Sequence, residues 1–165
     1  MNYHRIKKLI DRAINKFSLD LSGLTVLTEA APGYYSLTPI ISAIAGADSV
    51  LAIARDSQYG KASEIRDSTL TLMQEFESGG GLEILVRRED PRIKLADIVP
   101  NLGSVRPIDK NFLMQLKETA VIPLMWETWE YRPEDLDLEQ CRSIGIPVLG
   151  TNEHDPRLRT MEFVG

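Results

Sequence analysis

The chain has 165 residues, 43% of them apolar and 26% charged, which suits one soluble domain with a sizeable core. A net charge of -5, from 24 acidic and 19 basic side chains, argues against general nucleic-acid binding, which relies on basic surfaces to neutralise phosphates. No apolar run approaches the roughly eighteen residues of a membrane span, and the single cysteine, Cys141, excludes an intramolecular disulfide; a reduced, cytoplasmic setting is expected.

The elements read off in chain order. Ile6, Leu9, Ile10, Ala13, Ile14 and Phe17 recur at helical spacing, so the chain opens with an amphipathic helix. "LTVLTEA" (24–30) reads as a strand, and 36–46 as a helix capped by Ser36 and ended by Gly46. "SVLAIAR" (49–55) is a second strand, 61–78 a long helix, and "LEILVRR" (82–88) a third strand. "ADIVPNL" (96–102) predicts a fourth strand, with Pro100 confining its pairing. A short helix capped by Asp109 runs to 117, "AVIPLMW" (120–126) is a fifth strand, 136–144 is helical, and "IPVLGT" (146–151) is a sixth. Pro156 then opens a last helix, with Leu158, Met161 and Phe163 as its apolar positions.

Strands apolar on both faces, joined by helix-sized connections, predict an open three-layer α/β sandwich with a mostly parallel sheet of about six strands, flavodoxin- or Rossmann-like, in a single domain spanning 1–165. An antiparallel α+β arrangement is the rival. In such sheets ligands gather beyond the carboxyl ends of the strands, which selects the candidate site residues. The turn "EAAPGYY" supplies Glu29, Gly33 and Tyr34 ahead of a helix N-terminus, with one glycine and no G-x-G-x-x-G; it serves either as a phosphate cradle or as a tight turn with a packed tyrosine. "RDSQYG" supplies Asp56, which either meets a ligand or shapes its loop. "NLGSVRPID" supplies Asn101, Gly103, Ser104 and Arg106. The guanidinium of Arg106 is a planar fork for a carboxylate or phosphate, or else pairs with Asp109 or a nearby acid. "WETWEYRP" supplies Glu127 among aromatics suited to a cleft or an interface, and "TNEHD" supplies His154, a candidate acid–base group or a plain loop residue. No residue is assigned a catalytic role. One cysteine and two distant histidines give no metal site, and Cys141 reads as inert core.

The segments "LADIV", "NLGSVRPIDKNFLMQLKETAVI" and "DLDLEQCRSIGIPVLGTNEHDPRLRTMEFVG", over about residues 95–165, resemble the N-terminal part of D-2-hydroxyacid dehydrogenases of the formate/glycerate type. The resemblance lies in the order of strand, short Ser/Gly loop, helix, strand, helix, and an "x-G-I-x-V" strand before a helix that enters the cofactor domain. It implies a substrate-side N-terminal domain of a longer NAD(P)-dependent oxidoreductase, inactive alone. The family's dinucleotide fingerprint and its catalytic Arg, Glu and His fall after the stretch matched here, so no cofactor is expected on this domain by itself. "MWETWEYRP" departs from the family's glycine-rich stretch. Two other readings stay open: a stand-alone small-molecule or nucleotide-binding or interaction module, and a methyltransferase-like domain suggested by "VLTEAAPGYY" and "GADSVLAIARD". The expected partners are a small anionic ligand at the 29–35 and 101–106 loops and a second copy of the chain, drawn together by the apolar positions of the last helix.

Overall fold

The computed structural model describes residues 2–76, 81–125, 132–152 and 154–158. Helix α1 (Tyr3–Phe17) is capped by Asn2, whose side chain accepts from the Arg5 N–H at 3.0 Å, and it ends at Ser18 in the left-handed region. Strands β1 (Thr25–Glu29), β2 (Ser49–Ile53) and β3 (Gly81–Leu85) form a parallel sheet with β2 in the middle, Thr25 facing Ser49 and Ser49 facing Gly81. Helices α2 (Leu37–Ile44) and α3 (Ala62–Glu75) make the crossovers, as parallel pairing requires. The second half carries α4 (Lys110–Leu113), β4 (Ile122–Pro123), α5 (Leu138–Ile144) and β5 (Val148–Leu149), with β4 and β5 parallel.

The expectation of six strands is corrected: the described residues form five, in two sheets. Residues 96–102 form no strand; Ile98 alone bridges Val26 on one side and Val121 on the other, both in parallel. Pro100 explains the shortening: it has no N–H to give a neighbour, and the Leu102 N–H turns back to the Pro100 carbonyl at 2.8 Å. Pro123 similarly limits β4. The Ile98 bridge nevertheless joins the two sheets. The lateral order runs β3, β2, β1, Ile98, β4, β5, and it reverses direction between β1 and Ile98.

The pleat sends alternate side chains to opposite faces, and the core divides accordingly. Leu27, Leu51, Ile53 and Leu85 pack with Ile93, Phe112, Leu113 and Cys141. Val26 and Val50 pack with Ala43, Ala45 and Leu21, while Ile10, Ile40 and Phe76 join α1, α2 and the end of α3. Helices α1–α3 thus cover one face and the α4–α5 half the other, giving three layers.

Smaller corrections have local causes. Ser36 does not cap α2; it lies in a 3-10 turn (Gly33–Ser36), and its hydroxyl donates to the Gly33 carbonyl at 2.7 Å. The helix expected over 109–117 is the single turn α4, although Asp109 caps it by accepting from the Phe112 N–H at 2.9 Å. The connection from β3 holds a 3-10 turn, Pro91–Leu95, that the periodicity did not announce. Of the last expected helix, 156–158 form a 3-10 turn; Met161 and Phe163 lie outside the described residues.

Candidate functional site

The reversal of strand order beside β1 opens a crevice at the carboxyl ends of the strands, because the loops there leave in opposite directions. A cavity of about 980 Å³ occupies it. Its lining includes Glu29, Gly33, Asp56, Asn101, Gly103, Ser104 and Arg106, so the fold brings together seven of the ten residues singled out in the sequence.

Glu29 ends β1 and is only 4% exposed. Its Oε2 accepts from the Ser104 N–H at 2.8 Å, fastening the first turn to the fourth loop. That loop coils tightly, with the Val105 and Arg106 N–H groups both donating to the Leu102 carbonyl at 3.0 Å. A Cβ on Gly103 would stand 3.4 Å from Glu29 Oε2 and 3.8 Å from Arg106 Nη2, so carboxylate and guanidinium flank the same glycine. Arg88, just beyond β3, anchors the loop's far side by donating to the carbonyls of Val105 and Pro107, and its guanidinium lies over the Phe112 ring.

Asn101 is fully buried. Its Oδ1 accepts from the Met125 N–H at 2.7 Å, which fixes the amide's orientation: a backbone N–H only donates, so the oxygen must face it. Nδ2 is then left without a hydrogen-bond partner among the described residues, as is the Thr28 hydroxyl one residue before Glu29. A buried donor left in that state costs on the order of 1–3 kcal/mol.

Arg106 takes the pairing alternative. Its Nη1 donates to Asp135 Oδ2 at 2.7 Å in a largely buried ion pair, rather than standing as an exposed fork or pairing with Asp109. Arg132 Nη1 reaches the same oxygen at 3.9 Å, and Arg55 Nη1 donates to the Arg106 carbonyl at 3.1 Å. Three arginines therefore cluster on the cavity wall. Arg55 and Arg132 were within reach of the strand-end rule, since each follows closely on a strand or its loop; Asp135 carries no such signal.

Asp56 lines the cavity but is already engaged. It accepts from the Ala62 N–H at 2.9 Å and from Lys61 at 3.1 Å, and these two contacts, the first the larger, hold its carboxyl below the usual carboxylate range. Tyr34 points elsewhere: it is 76% exposed and lines a separate apolar groove with α1 and α2. His154 is exposed, its N–H bonded to Asn152 Oδ1 at 3.2 Å, and it lines none of the described cavities. Glu127 lies outside the described residues. Cys141 is buried, and burial followed by Asp137 pushes its thiol up to about 11.

The first turn does not fit a dinucleotide. Such a cradle needs several glycines and free N–H groups aimed at the pyrophosphate, whereas this turn has one glycine, Gly33 at φ +71°, preceded by Pro32, which has no N–H. Among the described residues no group of His, Cys, Asp or Glu is placed to hold a metal ion, and no helix is long and apolar enough to cross a membrane.

Fold and cavity together define the class: a Rossmann-like α/β domain with an arginine-bordered crevice at its switch point. No protein-family model and no curated protein matches the chain. Among solved structures, shikimate 5-dehydrogenase from Listeria monocytogenes, solved with shikimate and NAD, superposes with a TM-score of 0.58 at 13% identity, over 87% of this chain and 51% of that one. A dipicolinate synthase chain from Bacillus halodurans gives 0.55 at 17% identity, over 93% and 45%. Ornithine carbamoyltransferase from Gloeobacter violaceus gives 0.54 at 16% identity, over 96% and 56%. At such low identities these superpositions show a shared fold and nothing further. The chain spans about half the length of each of these proteins. The particular likeness to D-2-hydroxyacid dehydrogenases is not singled out among them.

Proposed function

We propose that the chain is the substrate-side domain of an NAD(P)-dependent oxidoreductase and holds a small anionic molecule at its switch point. The observation that carries the reading is the cavity itself: set where the strand order reverses, and bordered by Arg55, Arg106 and Arg132. The shared fold with shikimate 5-dehydrogenase supports the oxidoreductase assignment, and the D-2-hydroxyacid type remains the finer form of the proposal. The glycine-poor first turn supports a division of labour in which the nicotinamide cofactor is held by another domain of a longer protein. On this reading the chain's own residues bind and orient the substrate. Glu29 and Asn101 stand among the lining residues, and the arginines draw in negative charge.

Calorimetry on the isolated chain tests this. A panel of carboxylates (lactate, malate, gluconate) is expected to include at least one that binds, and NAD is expected to bind weakly or not at all. Micromolar NAD binding to these 165 residues, or no binding by any carboxylate, contradicts the proposal. A stand-alone binding module is the second reading, favoured by the same lack of a dinucleotide cradle. It differs in expecting no nicotinamide-dependent turnover from any longer form of the protein.

A further inference from the structure

We propose that the groove between α1 and α2 docks an acidic amphipathic helix of a partner protein. The inference stands apart from the switch-point cavity and does not depend on it. It starts from the two sides of the apolar stripe on α1. Ile6, Ile10 and Ile14 turn inward and pack in the cluster that holds Ile40 and Phe76. Leu9 is 54% exposed and Phe17 40%, so the stripe is wider than the core it covers and its outer edge lies open. Leu19, Tyr34 and Ile41, also exposed, line the same groove from neighbouring elements. A contiguous row of exposed apolar side chains marks a surface that another molecule covers.

The charges around the groove decide what it fits. Helix α1 carries five basic side chains and one acidic, in a chain whose net charge is -5. Arg5 and Arg12 stand one helical turn before and after Leu9, so both flank it on the helix surface, and both are exposed. Among the described residues neither has an acidic partner; the helix's acid, Asp11, faces Lys7 at 4.0 Å. Lys16 and Arg157 hold the end of the groove, their charged groups 5.8 and 5.4 Å from the centre of the Phe17 ring. The facing wall, α2, has no charged residue. Asp20, next to Leu19, accepts from the Ser22 N–H and hydroxyl at 2.9 and 2.6 Å. An apolar floor with one basic edge selects a helix whose apolar face is bordered by Glu or Asp. A bilayer is a poorer match, because the open row is recessed between two helices and the inward side of α1 is committed to the core. A second copy presenting this same face would bring its own basic edge to the interface.

Fluorescence anisotropy with two labelled amphipathic peptides, tandem repeats of LEELLEE and of LKKLLKK, tests the charge reading on the full chain. The two share one apolar face and differ only in the sign of its border. The glutamate peptide is expected to bind about tenfold more tightly at low salt, with the margin shrinking as salt rises. Arg5→Glu combined with Arg12→Glu alters exposed side chains only and should reverse the order, so that the lysine peptide binds better. Leu9→Ala should weaken the glutamate peptide and so mark the groove as its site. Equal binding of the two peptides, binding of neither, or a preference unmoved by the charge reversal overturns the proposal. Two further outcomes overturn it by giving the groove to another occupant. One is adsorption to phosphatidylserine vesicles by a chain that ignores the glutamate peptide. The other is a dimer in light scattering that Leu9→Lys disrupts.

Discussion

At the scale of single residues, the consequence of most weight is that Arg106 is structural as well as electrostatic. An exposed fork would be removable at little cost, but this guanidinium is held at 2.7 Å by Asp135 in a largely buried pair. Among the described residues Arg106→Ala leaves Asp135 with the more distant Arg132, and it is expected to cost about 1.5–3 kcal/mol in chemical denaturation, the range for a hydrogen bond to a charged group. Arg55 is exposed, and Arg55→Ala should shift stability by no more than about 0.5 kcal/mol while weakening carboxylate binding in calorimetry. Equal stability losses for the two variants would contradict this division. Cys141 makes the simplest case: buried, with a thiol pushed up to about 11, it should resist thiol reagents at neutral pH until the chain unfolds. The sequence could name Arg106 but not its partner, because Asp135 lies 29 positions away and becomes a neighbour only through packing.

At the scale of elements, Asp97 joins three segments at the opposite end of the sheet. It accepts from the Thr25 N–H at 2.8 Å and from Lys117 at 2.6 Å. Burial works to raise its pKa, but the Lys117 and Thr25 bonds outweigh it, and the carboxyl sits below its ordinary value of 3.8. A depressed folded-state pKa contributes stability that is fully present above the unfolded pKa and is lost as pH falls through the folded value. Asp97→Asn is therefore expected to destabilise the chain at pH 7 and to approach the parent's stability as pH falls through the depressed carboxyl pKa, followed by urea denaturation across pH. A constant difference down to about pH 2 would show that the side chain's shape, not its charge, matters. Element type was legible where a local signal agreed with burial: the nearly all-apolar 49–53 became the central strand, and Asp109 caps the helix that follows it. It failed at 96–102, where an apolar run promised a strand and Pro100 withheld the N–H needed to extend one. It also failed at Tyr34, whose turn was foreseen but whose side-chain direction depends on α1, a distant element.

For the whole molecule, the location of the cavity was legible because it follows from strand direction alone: parallel strands deliver their outgoing loops to one end. Which loops meet depends on strand order, and the reversal beside β1 is a property of the assembled sheet. The homodimer expected from the sequence rested on the last helix, where Met161 and Phe163 lie outside the described residues; a separate apolar surface lies elsewhere. Leu9, Phe17, Leu19, Tyr34 and Ile41 are all exposed along an apolar groove of about 390 Å³ between α1 and α2. If a second copy covers this face, light scattering should report a dimer that Leu9→Lys converts to monomer; a monomer at every concentration removes the dimer from the account. The central claim is that the switch-point cavity holds an anion, and backbone-amide NMR titration with malate and gluconate tests it most directly. The account predicts saturable shifts at Ala30, Gly33, Asn101, Gly103, Ser104 and Arg106, with the surface around His154 unmoved. Saturable shifts confined to the α1–α2 groove or to residues 152–158, with those six amides unchanged, would contradict it.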